Sequence, residues 1–253
     1  APSGMVLNKN SQTVELKYKD QYTAIVMSSS SFVNERQKVE AKVIKVDSEQ
    51  STIGLSGGEF NFVAKEDIRN ADGTVIVKAN SVISKFISDS NGEINLNDMD
   101  LPLNYNFEMV ETKAPIGYVL DETPVQINTD YQGQNVEKIV ISKTKTNKAT
   151  EVDFSKTDVT TNKELPGNHL TVFEKDNEGS SFETWISGDK PHTVKNLSTD
   201  TRYILRETSS VKGFYIANNI EFEIDQKGNV YVYEDGNKVL AKDHLIVMKN
   251  DLV

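Results

Sequence analysis

The stretch HLIVMKND, His244 to Asp251, decides how the chain is read. Its residues alternate with the period of two that a half-buried strand requires, so Ile246, Met248 and Asn250 share one face. The first two are apolar, which marks that face as the buried one. An asparagine at its end poses a problem, because a buried amide without partners costs roughly 1–3 kcal/mol. Some other part of the chain has to meet it.

Working outward, strand signals dominate. VIKVD, YNFEMVE, VQINTD, VDFSKTD, RYILRE, IEFEID and VYVYEDGNKVL are short alternating runs, and ADG, SNG, QKG and EDGN punctuate them as turns. Only AKEDIRNADG, Ala64 to Gly73, leaves room for a turn or two of helix. The fold class is therefore all-β, in tandem immunoglobulin-like sandwiches with Greek-key-type strands.

The chain also repeats itself. VIKVD (43–47) matches FSKTD (154–158), GGEFNFV (57–63) matches LPGNHLTVF (165–173), and YNFEMVETKAPIGYVL (105–120) matches RYILRETSSVKGFYI (202–216). A partial third copy opens the chain, where APSGMVLN (1–8) matches APIGYVLD (114–121). The expected organisation is a remnant of a preceding domain over residues 1–38, one whole domain over 39–148 and a second over 149–253. The remnant begins as if cut after the lysine of the matching Glu-Thr-Lys. It should hold only last strands, marginal alone, which pack on the next domain or pair with something else. Both linkers are short, which favours a stiff string over hinged beads.

In the second copy, Phe154 and Lys156 share a face, as do Tyr203, Leu205 and Glu207. With Asn250, three polar side chains point into one small core, which is costly unless they meet. If they meet, chemistry follows. Burial disfavours the ammonium and makes a neutral amine available as a nucleophile. The same surroundings favour a neutral carboxylic acid that can donate to the amide carbonyl and shuttle protons. The amine attacks the asparagine carboxamide, ammonia leaves, and an isopeptide bond joins the first and last strands. Held at near-attack distance in a dry core, this needs no external enzyme.

Composition closes other routes. The net charge of −10, from 38 acidic against 28 basic side chains, argues against nucleic acid or anionic membrane as partner. No apolar run approaches a membrane span. Without cysteine there are no disulfides, thiolate metal sites or cysteine nucleophiles. His169, His192 and His244 lack ligand spacing and read as ordinary surface or strand residues. SDSNGEINLNDMD (88–100) is acidic but lacks the calcium-loop pattern and reads as a hairpin turn. No cofactor or metal is expected. A hydrolase with paired carboxylates is disfavoured, because the candidate glutamates stand singly in separate domains.

FSKTD, TWISGDKPHTVKNL, LRETSSVKGFYI and IVMKND resemble the CnaB-type, prealbumin-like isopeptide domains of Gram-positive surface adhesins and pilins. The second copy is most similar to the isopeptide domains of streptococcal fibronectin-binding proteins. The first, with AKEDIRNADG and the fairly specific E-x-x-A-P-x-G-Y of ETKAPIGY, resembles the SpaA-type variant. The resemblance implies an extracellular, cell-wall-anchored stalk with autocatalytic Lys–Asn cross-links. Carried over by position, Lys156, Glu207 and Asn250 form the second triad. Lys45, beside Val43, and Glu111, after Tyr105, Phe107 and Met109, begin the first. Its acceptor stays open: aligning IVIS (139–142) on IVMK (246–249) without gaps puts Lys143 in the slot, whereas Asn147 follows four residues later with the same parity. Asn34 is the analogous position in the remnant.

The resemblance also implies adjacent repeats as partners, and contact with a host matrix protein only through a tip outside this chain. LPGN (165–168) is not a sortase signal, and no pilin-type Tyr-Pro-Lys-Asn motif occurs, which favours an adhesin stalk over a polymerising major pilin. The alternative is a module that itself binds a host matrix protein or glycan, which would need an exposed aromatic patch. Trp185 is the one candidate, and a partly buried packing role suits it better.

Overall fold

The computed structural model describes residues 1–253. It forms two β-sandwiches in sequence. The first holds β1 (Lys38–Asp47), β2 (Glu59–Ala64), β3 (Ile68–Arg69), β4 (Val75–Val77), β5 (Val82–Ile87), β6 (Glu93–Asn95), β7 (Asn106–Lys113), β8 (Val125–Asn128) and β9 (Lys138–Asn147). The second holds β10 (Glu151–Asp158), β11 (His169–Glu174), β12 (Ser181–Ile186), β13 (His192–Lys195), β14 (Arg202–Ser209), β15 (Ile220–Ile224), β16 (Val230–Glu234), β17 (Asn237–Leu240) and β18 (Leu245–Asn250). No helix is long and apolar enough to cross a membrane.

The two share one plan. A small sheet of order β6-β1-β9 faces a larger one of order β5-β2-β7-β8, and β13-β10-β18 faces β12-β11-β14-β15-β16-β17. In each, the first and last strands lie side by side and parallel. Parallel neighbours cannot be joined by a tight turn, so the whole intervening domain serves as their crossover. Each repeat carries one addition: the β3-β4 ribbon in the first, and the β16-β17 hairpin in the second. Asp235 and Gly236, both at positive φ, turn that hairpin in two residues.

The alternation read from sequence is the burial pattern observed. Phe60, Phe62, Phe107 and Met109 fill one core, with Phe62 stacked on Phe107 at 5.0 Å between centroids. Phe154, Leu170, Tyr203, Leu205, Phe222, Ile246 and Met248 fill the other. Trp185 is buried here against Phe154, with His192 stacked on it at 4.6 Å. It belongs to the core and offers no exposed binding face. The acidic stretch from Ser88 forms the turn into β6, where the Asp89 carboxylate accepts the N–H groups of Asn91 and Glu93.

Two expectations fail. The stretch Ala64–Gly73 forms no helix: it ends β2 and supplies β3. Ile68 pairs with Val77 in the ribbon, and the Asp67 carboxylate accepts the Ala79 N–H. Those links fix an extended ribbon where propensity alone leaves helix open. Nor do residues 1–37 form strands. Their one bridge, from Met5 to Arg36, joins the two ends of the segment to each other, and the Leu7 N–H ties it to the first sandwich at the Gln134 carbonyl, 2.8 Å away. A lone strand pair with no facing sheet is marginal in water.

Candidate functional site

Each sandwich buries one lysine, one glutamate and one asparagine together. Lys45, Glu111 and Asn147 are 0%, 1% and 2% exposed, and Lys156, Glu207 and Asn250 are 1%, 3% and 1% exposed. The lysine sits on the first strand, the asparagine on the last, and the glutamate on the facing sheet. The parallel register sets the geometry: Lys45 lies opposite Lys145 and Lys156 opposite Met248. In both pairs the asparagine follows two residues later, on the same face.

In the first domain, Lys45 Nζ donates to Asn147 Oδ1 and, at 3.3 Å, to the Lys145 carbonyl. The ammonium is 3.6 Å from Glu111 Oε1. The Asn147 amide donates to both Glu111 oxygens, at 3.1 and 2.9 Å. The second domain repeats this, with Lys156 Nζ on Asn250 Oδ1 and 3.2 Å from Glu207 Oε2. There the Asn250 amide donates to Glu207 Oε1 at 2.9 Å and to Ser210 Oγ at 2.8 Å. A backbone N–H fixes each carboxyl, from Asp121 at 3.0 Å and from Ala217 at 2.7 Å. The amide question raised by HLIVMKND is thereby answered: every polar atom of Asn250 has a partner.

A bulge helps aim each glutamate. Strand pairing skips Thr112 between Phe60–Glu111 and Glu59–Lys113, and skips Thr208 between Leu170–Glu207 and His169–Ser209. The extra residue bends the strand just past the carboxyl, as bulges beside reactive groups do. It falls on the threonine of the repeated Glu-Thr pair in both domains.

The structure decides the first-domain register. Asn147 is buried against Lys45, whereas Lys143 lies opposite Val43 and is exposed. Asn34 sits in the corresponding place of the opening segment, where its side chain accepts the N–H of Asn8. Three participants were not found from sequence. Ser210 holds the second amide proton of Asn250. Lys145 is buried beside Lys45, donating to the Thr123 carbonyl at 2.7 Å and pairing with Asp121 at 2.6 Å. The second domain has Met248 and Ala217 in those two positions, so this extra ion pair belongs to the first domain alone.

Burial shifts both lysines and Glu111 toward their neutral forms. Burial pulls the Lys45 ammonium down to about 8, against the opposing pull of Glu111, and Lys145 adds to the lowering. Burial likewise lowers Lys156 against Glu207. Burial pushes the Glu111 carboxyl up, although the Asp121 N–H and Lys45 oppose it. A neutral amine touching a carboxamide whose nitrogen rests on a carboxyl is an arrangement for acyl transfer at nitrogen.

A variant that cannot cross-link should expose this titration. In Asn147→Ala the folded lysine stays neutral above about 8, whereas the unfolded lysine holds its proton to about 10.4. The unfolded state then binds more protons between those values, so stability rises with pH across that window and falls as pH drops toward 8. The check is the urea midpoint at either end of the window, against the same series with Lys45→Met added. A pH response identical in both variants would show that Lys45 is not depressed.

The model of the SpaA prealbumin-like fold domain matches residues 39–145 and again 150–238. No curated protein matches the chain. Among solved structures, the Bacillus anthracis TIE protein is similar at 23% identity and a TM-score of 0.51, over 99% of this chain and 40% of that one. A C-terminal fragment of the pilus adhesin SpaC from Lactobacillus rhamnosus GG is similar at 17% identity and a TM-score of 0.49, over 86% of this chain and 98% of that one. The chain thus spans 40% of the length of the TIE protein, and at 23% identity that likeness is one of fold. With both sandwiches matched in tandem, the chain belongs to the SpaA prealbumin-like fold domain family.

Proposed function

We propose that the chain is a structural stalk segment of a Gram-positive cell-surface adhesin or pilus protein, extracellular and anchored to the cell wall, whose two domains are each locked by a self-formed Lys–Asn isopeptide bond. The observation that carries this reading is the contact, made twice, between a buried lysine on the first strand and a buried asparagine on the last, with a glutamate under the amide.

The reaction balances without a cofactor. The neutral lysine amine adds to the asparagine carboxamide carbon, and the glutamate carboxylate, beside both nitrogens, takes the proton from the attacking nitrogen. It passes that proton to the amide nitrogen it touches, and collapse of the intermediate re-forms the carbonyl and expels that nitrogen as ammonia. One C–N bond forms, one breaks, and the glutamate is regenerated. The event happens once per domain and is not enzymatic turnover. It replaces a buried amine and a buried primary amide by one neutral secondary amide, which removes the desolvation problem of the precursor.

The intact mass of the denatured protein tests this. The wild type should be lighter than its sequence by two ammonias, with Lys45→Ala and Lys156→Ala each restoring one. A wild type at its full sequence mass would overturn the proposal.

A further inference from the structure

The two sites hold the reacting amide differently. In the first domain the Asn147 nitrogen donates to both Glu111 oxygens, and Oε1 is also the oxygen that faces Lys45, at 3.6 Å. In the second domain the Asn250 nitrogen engages only Oε1 of Glu207, at 2.9 Å, and gives its other hydrogen to Ser210 Oγ at 2.8 Å. Glu207 Oε2 is thereby left to face Lys156, at 3.2 Å. One carboxyl oxygen reaches the attacking nitrogen and the other reaches the leaving nitrogen.

Ser210 is itself held. Its hydroxyl donates to Asn168 Oδ1 at 3.3 Å, which turns its lone pairs toward Asn250. Asn168 is wholly buried, and its Nδ2 donates to the Leu165 carbonyl at 2.6 Å and to Ser187 Oγ at 3.2 Å. The frame beneath is common to both domains. The Asn168 N–H donates to Ser187 Oγ as the Gly58 N–H donates to Ser88 Oγ, and the two serines donate to the Leu165 and Leu55 carbonyls. What the second domain adds is the Asn168 side chain and the Ser210 hydroxyl. Ala114 stands in the place of Ser210, and Gly58 in the place of Asn168, where a Cβ would lie 3.1 Å from the Phe60 ring. The first domain builds the same turn without either group, so the fold does not require them.

We infer that Ser210 is a further catalytic residue of the second-domain cross-link, holding one hydrogen of the departing nitrogen while Glu207 delivers a proton to it. The inference rests on the Lys–Asn reading above. As the carboxamide carbon becomes tetrahedral, its nitrogen leaves conjugation and gains a lone pair. That nitrogen must then change from donor to acceptor toward the carboxyl that carries the lysine proton. With one hydrogen kept on Ser210, it turns its lone pair to Glu207 by giving up a single hydrogen bond. In the first domain both contacts to Glu111 have to be given up. The balance is unchanged: the proton passes from Lys156 Nζ through Glu207 to the leaving nitrogen, the C–N bond breaks and ammonia departs. Ser210 keeps its own proton on Asn168. One such hydrogen bond is worth about tenfold in rate.

The test uses the full chain carrying Lys45→Met, so that one ammonia is left to lose, recovered unfolded and unreacted in concentrated urea and diluted into buffer. Trp185 is the only tryptophan and lies in the second core. Its fluorescence times the folding of that domain, while the intact mass of acid-quenched samples times the cross-link. Ser210→Ala should slow ammonia loss about tenfold and leave the fluorescence phase as in the parent. Ser210→Thr, which keeps the hydroxyl, should lose ammonia at the parent rate. Ammonia loss in Ser210→Ala that is unchanged, or slowed no more than folding itself, would overturn the inference and leave Ser210 a part of the fold. A parent that folds and keeps its full mass would overturn the cross-link reading, and the role of Ser210 with it.

Discussion

Pulled from its two ends, the wild-type chain should lengthen without an unfolding step from either sandwich, whereas Lys45→Ala should release one step of about 350 Å. Load enters the first domain at the start of β1 and leaves at the end of β9. Because these strands are parallel and paired over their whole length, that load shears them against each other. With the bond in place, tension passes from the Lys45 backbone through its side chain into Asn147 and out to Lys148, and the residues between carry none. Without it, the strand pair must yield, and a segment of 102 residues becomes extensible. At roughly 3.4 Å per residue this sets the step length. Lys156→Ala should free a slightly shorter step, since Lys156 and Asn250 are 94 apart. Single-molecule force spectroscopy on the wild type, each variant and the double variant checks the count. Two steps from the wild type would sink the mechanical role.

Most of the site was legible because burial has a parity. Lysine, glutamate and asparagine each sat on a face whose other members were apolar, and the repeat showed the pattern twice. Parity could not choose between Lys143 and Asn147, because four is an even number. The structure explains the ambiguity. Strand β9 runs 10 residues and β18 runs six, with the extra four at the start, so the similar words IVIS and IVMK occupy different levels of the sheet. Ile139 pairs with Val39, but Ile246 pairs with Phe154, which corresponds to Val43. Ser210 and the Lys145–Asp121 pair escaped notice for a different reason. Ser210 and Asp121 lie in loops, where no periodicity reports which way a side chain faces, whereas Lys145 lies in β9 on the parity of Asn147 and faces inward as the alternation requires. The need for glycine in the Ala-Pro-x-Gly-Tyr motif was hidden similarly: the motif could be recognised as a signature, yet a Cβ on Gly117, at φ +82°, would lie 2.7 Å from the Asn196 carbonyl oxygen, in the next domain. The misread helix at Ala64–Gly73 is local propensity overruled by ribbon pairing.

Replacing Lys156 by methionine should lower the melting temperature of the second sandwich by about 16–40 °C. Methionine keeps much of the length and apolar surface of the lysine stem, so the change removes the bond while leaving no ammonium in the core. Glu207 keeps its bonds from the Ala217 N–H and the Asn250 amide. What is lost is a covalent closure of a loop of 94 residues. By analogy with a disulfide, this constrains the unfolded chain by roughly 4–5 kcal/mol. A domain of about 100 residues shifts by about 4–8 °C per kcal/mol, which gives the expected range. Glu207→Ala should fall further. It also prevents the reaction, but it leaves Lys156 buried with its carboxyl partner gone, and removing one member of a buried pair costs about 3–5 kcal/mol by itself. Calorimetry of the two variants therefore separates the two contributions: Lys156→Met reports the closed loop, and the extra loss in Glu207→Ala reports the stranded charge. Should Lys156→Met melt within a few degrees of the wild type, no covalent closure was present to lose.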